Sequence, residues 1–386
     1  MLLNTGRATQ CVPRLRAKTR RVRSDVSAVS TSKATPAPGS RVPDAPGFDQ
    51  AAVGKVLLIR LRSIGDVLFT LPAVHLVRAN FPRAKITFLV RKENAPLLEG
   101  FREVDAVIAL DRALYRQKNL KVMAMETLSL LRRLRKEKFS LAVDFQGYGE
   151  TAWLTRWSGA PQRWGSVYGA GRSWAYTRAF KRNNLIHPVE HNLSLLEECG
   201  LYPTPVRNDF TLPNHALDEA RQFFAAQGLN VALPTLFIQP FTSEPRKAWP
   251  LERHLVVAEH WRKCGVQVLF GGGPADRAAL EPARQAGFPV SAGASLLVTA
   301  GLMKLSTLVL GSDTGLLHLA VAMNKRVVMF MASIAPGCPH PFQHPEWVVT
   351  ATDKRSIIRI EIPAVIEACA QAFAEQGADA AYSGIP

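Results

Sequence analysis

The stretch Gly311-Ser-Asp-Thr-Gly-Leu-Leu-His318-Leu-Ala follows the apolar run LSTLVL (305–310) and leads into a helix-like pattern. A strand that ends in a small-residue turn, with Asp313 or Thr314 able to cap the next helix, aims free backbone N–H groups and the positive helix end at an anion. The chemistry on offer is phosphate binding. Thr314 and Gly315 would present N–H groups and Asp313 would cap or orient them. His318, about one helical turn beyond Gly315, could reach the phosphates or hold the loop. A plain capping turn is the alternative reading of the same residues. A second such junction, RLRSIGDVLFTLPA (60–73), lies far upstream and sets Asp66 directly after Gly65. A third, TSEPRKAWP (242–250), offers Lys247 as a phosphate counter-charge with Arg246 as a possible second, and Thr242 and Ser243 as hydroxyl donors to the same oxygens. The turn GGGPAD (271–276) would let the backbone at Gly272 approach a nucleoside, with Asp276 a candidate acceptor for its hydroxyl.

These turns need strands to carry them. From Lys55 the chain alternates strand and helix signals as a doubly wound parallel α/β sheet does. VLLIRL (56–61) reads as the first strand and 67–80 as the helix after it. AKITFLV (84–90), DAVIAL (105–110) and SLAVDF (140–145) read as further strands, the last behind a long basic helix around 116–138. The proline-rich YPTPVRNDFTLP (202–213) marks a boundary between a domain at 51–205 and one at 206–386. In the second domain TLFIQ (235–239), VQVLF (266–270), LSTLVL (305–310) and RVVMFM (326–331) repeat the theme. Ligands of such sheets bind at the carboxyl ends of strands, where Asp66, Thr242, Gly271 and Asp313 all fall.

The formal net charge of +17 is unevenly spread. Residues 1–50 hold nine Lys or Arg against three acids, 51–200 hold twenty-four against thirteen, and 201–386 hold fifteen against fifteen. Such an excess attracts polyanions. No helix-turn-helix, zinc-finger or RNP-type signature accompanies it, so an anionic membrane surface or a phosphorylated glycolipid is the expected partner, and nucleic acid is not. The Arg-, Ser-, Thr- and Pro-rich segment 1–50 shows no hydrophobic periodicity and is expected to be a disordered basic tail without a secretory signal. Five cysteines without CxxC spacing point to a reduced cytoplasmic compartment. No run of eighteen apolar residues spans a bilayer.

Ser63-x-Gly65-Asp66-Val-x-x-Thr70-Leu-Pro72-Ala followed about 250 residues later by Ser312-Asp313-Thr314-Gly315-x-x-His318-Leu-Ala resembles glycosyltransferase family nine, the ADP-heptose:lipopolysaccharide heptosyltransferases. His187-x-Val-Glu190-x-Asn192, Cys199-Gly-Leu, TSEPRKAWP and GGGP fit the same pattern, and the resemblance covers roughly residues 54 to 370. It implies a GT-B architecture, two Rossmann-like domains facing a central cleft. It further implies inverting, metal-independent transfer of heptose from ADP-heptose to the inner core of lipopolysaccharide by a protein peripheral to the inner membrane. We expect a monomer with no cofactor. Such a transfer needs a base for the acceptor hydroxyl and positive charge for the departing diphosphate. Asp66 is the expected base, fixed by a helix that begins near Val67, with a helix cap as its alternative role. Lys247 is the expected counter-charge.

On the acceptor side, Ser63 and Gly65 belong to the first turn, while residues 145–182 interleave Tyr and Trp with Arg156, Arg163, Arg172, Arg178 and Arg182. Aromatic faces suit sugars and arginine forks suit phosphate or carboxylate, so Arg156 and Arg163 are candidate acceptor ligands. Aromatics in the core with arginines in solvent would look the same. The basic amphipathic LSLLRRLRKEK (128–138) could touch anionic lipid or be a solvated face. His187-Pro-Val-Glu190-His191 satisfies an HxxEH zinc pattern, but Pro188 suits the first turn of a helix and not its interior, which favours a helix start. Two positions differ from the family pattern: Phe69 stands where some members have histidine, and Ala332-Ser-Ile-Ala-Pro336 where many have a Gly-x-Thr turn.

Overall fold

The computed structural model describes residues 52–111 and 120–382; the expected basic tail and the start of the 116–138 helix lie outside them. Two six-stranded, wholly parallel sheets form the frame. The first contains β1 (Lys55–Ile59), β2 (Lys85–Arg91), β3 (Ala106–Leu110), β4 (Leu141–Asp144), β5 (Gln162–Val167) and β6 (Arg178–Lys181), in the order β3-β2-β1-β4-β5-β6. The second contains β7 (Thr235–Gln239), β8 (Gln267–Gly272), β9 (Val290–Ala292), β10 (Leu308–Ser312), β11 (Val327–Phe330) and β12 (Val348–Val349), in the order β12-β11-β10-β7-β8-β9. Both are doubly wound Rossmann-like sheets. Their strands are apolar on both faces because helices cover both, so β1, β4, β7 and β10 are buried almost throughout.

The strand order reverses between β1 and β4 in one sheet and between β7 and β10 in the other. A crevice opens beyond the carboxyl ends of the strands at such a reversal. The segment after β1 carries Asp66, the loop after β7 carries Lys247, and the turn after β10 carries Asp313. Topology therefore sets the three at the two crevices before any side chain is considered.

Several elements differ from the sequence reading. The helix expected over 67–80 is two helices, α1 (Ile64–Leu68) and α2 (Leu71–Asn80), broken at Thr70 ahead of Pro72. Pro72 has no N–H to continue the first helix but fits the first turn of the second. α1 starts before Asp66, and Ser63 is its cap, accepting a bond from the Asp66 N–H at 3.3 Å. Within residues 145–182, read as an aromatic and basic acceptor surface or as core aromatics, lie β5 and β6, and Trp164 is wholly buried between layers. Ahead of them run α3 (Leu120–Glu137), which leads into β4, and α4 (Gly149–Trp157), which leads into β5.

The proline-rich linker is packed, not loose. After α5 (Pro188–Glu198) the chain crosses between lobes, where the Phe210 N–H donates to Ala322 O at 2.7 Å and the Thr211 N–H to Gly100 O at 3.1 Å. The Phe210 ring occupies the space a side chain at Gly100 would need, since a Cβ there would lie 2.1 Å from it. α6 (Asn214–Ala226) then packs on α9 (Leu296–Leu305), with Gly301 admitting Ala216 and Ala220. One apolar cluster thus runs from Val67 and Val74 in the first lobe to Leu317 and Leu319 in the second. The C-terminal lobe also contains α7 (Leu251–Lys263), α8 (Glu281–Gln285), α10 (Gly315–Ala322) and α11 (Ile362–Tyr382). Among the described residues no helix is long and apolar enough to cross a membrane.

Candidate active site

The first lobe contributes a carboxylate held among cations. Asp66, in the first turn of α1, accepts from the Arg60 guanidinium and from the Ser63 hydroxyl at 3.0 Å. Arg60 is itself buried and also donates to Phe145 O beyond β4. Burial alone would push the Asp66 carboxyl up, but the Arg60 charge and the bonds from Arg60 and Ser63 outweigh it, and Asp66 sits below the usual carboxylate range. It is therefore ionised at neutral pH, as a proton acceptor must be.

Around it lies an aromatic and cationic rim. The Arg62 guanidinium stands 4.9 Å from the Tyr148 ring centre and donates to the Tyr148 hydroxyl at 2.8 Å. Tyr148 stacks on Tyr168 at 5.2 Å, and Arg182 lies 5.4 Å over the Tyr168 ring. Nη1 of Arg182 is buried without a hydrogen-bond partner among the described residues. Burial, followed by the charges of Arg182 and Arg60, keeps His191 neutral down to about 4.

The second lobe contributes an ion-paired helix end. Asp313 accepts from Lys247 Nζ at 2.8 Å and from His318 Nε2 at 2.9 Å, its side chain being 11% exposed. Burial acts to raise its pKa, but the His318 bond and charge, and then those of Lys247, hold it below the usual range. Of the two roles read for Asp313, capping and orienting, it does not take the first: Thr314 holds the cap position of α10. Thr314 stands at the cap position without a side-chain cap bond, and the hydroxyls of Ser312 and Thr314 are buried without partners among the described residues. Uncapped N–H groups at a helix start, two unpaired hydroxyls and a lysine make a set of donors for an anion. Beside them a cavity of about 430 Å³ is lined by Lys247, Arg246, Asp313, Cys338, Arg355 and Ser356, among others.

The two halves meet. A Cβ on Gly65 would lie 3.7 Å from Gly315 Cα and from His318 Cδ2, and the Phe69 ring packs edge-on against His318 at 4.7 Å and His187 at 5.4 Å. The histidine-to-phenylalanine difference at position 69 therefore lies at the contact between the lobes.

Other candidates are placed differently. Thr242 spends its hydroxyl on its own turn, donating to Glu244 O at 2.6 Å, while Ser243 is exposed and Arg246 is 84% exposed and paired with Glu244. Gly272 ends β8 packed under Leu280, and Asp276 accepts from the Gly273 N–H at 2.8 Å, which gives it a capping bond of its own turn. Arg163 pairs with Ala142 near the amino ends of the strands and clamps Ala160 O and Ala175 O, at 2.7 and 2.9 Å. Arg156 lies near the carboxyl end of α4, which runs back toward that same edge. Neither arginine joins the Asp66 cluster. Arg60, Arg182, Arg355 and Ser356 were not singled out as site residues. The only sequence signal for Arg60 was a charge ending an apolar strand, and Arg355 had none. The HxxEH residues are a helix start: Val189 N–H donates to His187 Nδ1 at 3.2 Å, His187 Nε2 meets His340 O, and His191 Nε2 meets Ser166 Oγ. Those partners point apart, and among the described residues no three His, Cys, Asp or Glu gather as metal ligands.

Two facing doubly wound lobes, one holding a half-buried carboxylate and the other an anion-binding helix end, define the GT-B class of glycosyltransferase. Residues 127–357 match the model of "Glycosyltransferase family 9 (heptosyltransferase)", and the chain belongs to that family. It is 26% identical over 291 residues to lipopolysaccharide heptosyltransferase 1 of Pseudomonas aeruginosa, covering 73% of this chain and 80% of that protein. It is 25% identical over 221 residues to lipopolysaccharide heptosyltransferase 3 of Escherichia coli K12, covering 55% of this chain and 62% of that one. The fold is similar to that of the E. coli heptosyltransferase WaaC solved with ADP-2-deoxy-2-fluoro heptose, with TM-score 0.66 and 21% identity over 81% of this chain and 98% of that one.

Proposed function

We propose that this glycosyltransferase moves heptose from ADP-heptose to the inner core of lipopolysaccharide with inversion, without a metal, as a monomer at the cytoplasmic face of the inner membrane. The observation that carries the proposal is the apposition of α1, bearing Asp66, with α10, whose start is framed by Lys247, Asp313 and Thr314. An acceptor hydroxyl beside Asp66 gives its proton to the carboxylate as its oxygen attacks the anomeric carbon. The bond from that carbon to the diphosphate breaks on the opposite face, so the configuration inverts. The nucleotide diphosphate leaves as an anion, and Lys247, the N–H groups of α10 and the Ser312 and Thr314 hydroxyls are the donors in place to receive its charge. Arg60 and Ser63 each hold one oxygen of the Asp66 carboxylate and so fix its orientation.

The relatives' names support heptose and lipopolysaccharide; no residue described here reads the nucleobase. The test is thermal stabilisation by ADP, GDP and UDP at equal concentration. A ligand at one hundred times its dissociation constant adds about 2.7 kcal/mol, a shift of several degrees. Selective stabilisation by ADP is expected. Selectivity for GDP or UDP would replace the donor, and no response to any would remove nucleotide-sugar transfer.

A further inference from the structure

Three tryptophans stand together on the outer face of the first lobe. Trp153 and Trp157 on α4 and Trp174 in the turn before β6 are 47%, 37% and 46% exposed, with ring centres 4.6 Å apart for the first pair and 4.5 Å for Trp153 and Trp174. Trp153 and Trp157 wall a groove of about 250 Å³ between α3 and α4, floored by Leu110, Leu130, Leu131 and Leu154 and edged by Thr127 and Glu150. Single exposed apolar residues are ordinary, but three contiguous indoles beside an apolar groove form a patch that requires a partner.

The charge beside the patch says which partner. Thr127 and Leu131 of α3 line the groove, and one turn further Arg135 donates to Trp157 O at 3.3 Å. At 100° per residue the next positions round that helix are Leu128, Arg132, Met125 and Lys136, all exposed. The patch is therefore an apolar shelf continued by a basic one. Tryptophan at an apolar–aqueous boundary with Lys and Arg at its edge matches an anionic lipid surface, where indoles sit at headgroup depth and cations meet phosphates. We infer that the α3–α4 face docks the protein on an anionic bilayer. α4 begins next to Tyr148, whose hydroxyl bonds Arg62 in the rim around Asp66, so the helix runs ~13 Å from that rim to its far end at Trp157. The inference rests on the membrane-borne acceptor proposed above for its purpose, and supplies the surface that reading lacks.

The test uses the full chain with vesicles of phosphatidylcholine containing 30% phosphatidylglycerol, the phosphatidylcholine carrying brominated acyl chains that quench buried indoles. Residues 1–50 contain no tryptophan, so the basic tail is silent in this readout. Wild type should be quenched and should bind pure phosphatidylcholine at least tenfold more weakly. Trp153→Ala with Trp174→Ala should remove most of the quenching. Arg132→Glu with Lys136→Glu, at exposed positions outside the site, should weaken binding about tenfold. Both variants should keep the wild-type melting temperature within a few degrees and unchanged stabilisation by ADP. Unquenched wild type, or variants that dock as well as wild type, would overturn the inference. So would a patch covered by a second copy, seen as a wild-type dimer that the tryptophan pair dissolves while vesicles are ignored. Loss of nucleotide binding with docking intact would instead sink the proposed reaction.

Discussion

Gly315 lies so close to the first lobe that a Cβ placed on it would stand 2.9 Å from the Gly65 amide nitrogen and 2.8 Å from Ile64 Cβ. Backbone meets backbone at the point where α1 and α10 bring their functional turns together; Ile64 Cγ2 could turn aside, but Ile64 Cβ and Gly65 N could not. The reverse position is roomier, for a Cβ on Gly65 meets only ordinary contacts at 3.7 Å.

Gly315→Ala should therefore push the lobes apart at the site. We expect a stability loss of roughly 1–3 kcal/mol, as for overpacking elsewhere, and a fall in transfer rate larger than the fall in ADP affinity. Gly65→Ala should be tolerated in stability within about 1 kcal/mol. Denaturant unfolding of both variants decides the matter; equal effects would show that the close approach is not the constraint.

Asp66→Asn should cut kcat/KM by about a hundred- to ten-thousand-fold while ADP stabilises the variant as it does wild type. Near-normal turnover with intact folding would take the base role from Asp66.

Arg60 and the pH profile form a linked expectation. Since Arg60 and Ser63 hold Asp66 below the usual carboxylate range, the acid limb of kcat/KM that belongs to Asp66 should lie below that range too. Arg60→Gln removes the main cause of that lowering and leaves burial to act, so the limb should move upward in pH. A profile unmoved by Arg60→Gln would mean that the limb belongs to another group.

Lys247→Ala should weaken ADP binding by about ten- to a hundredfold, the scale of one lost charge-assisted bond, measured by calorimetry. The same change leaves Asp313 paired with His318 alone, so Asp313→Asn made alongside it should recover part of any lost stability but none of the ADP affinity.

Stability should also fall with acid. Burial, the first cause in each case, holds His187, His191 and His254 neutral down to about 4. Unfolded histidines take up protons from about pH 6.5 downward while these folded ones do not until about 4, so the stability present above 6.5 is lost across that window, by up to about 3 kcal/mol per group. His191→Gln should flatten the slope of unfolding free energy against pH between 6.5 and 4. An unchanged slope would mean that His191 already protonates in the folded protein.

Much of this molecule is local in origin. Apolar runs of four to seven residues ending in small-residue turns mark β1, β2, β4, β7, β8, β10 and β11, because a strand covered on both faces must be apolar at every position. The alternation with helices implied parallel doubly wound sheets, and the turns at Gly65 and Gly315 were visible as strand-to-helix junctions. β5 and β6 were not, since Trp164, Arg163 and Arg178 interrupt the apolar run and read equally as a binding surface. The burial of β5 depends on α4 and α5 packing against it, which no local window contains.

The amino-acid sequence by itself determined the two sheets and which turns sit at strand ends, because periodicity and turn chemistry act over a few residues. Only the tertiary structure decided what those turns do. It made Asp313 the partner of Lys247 and His318, made Asp276 a cap, set Arg163 toward the amino ends of the strands and brought Arg60 onto Asp66. Each outcome depends on strand order and on which lobe meets which, and the free energy of an ion pair or a backbone contact is fixed by distances in space that spacing along the chain does not encode.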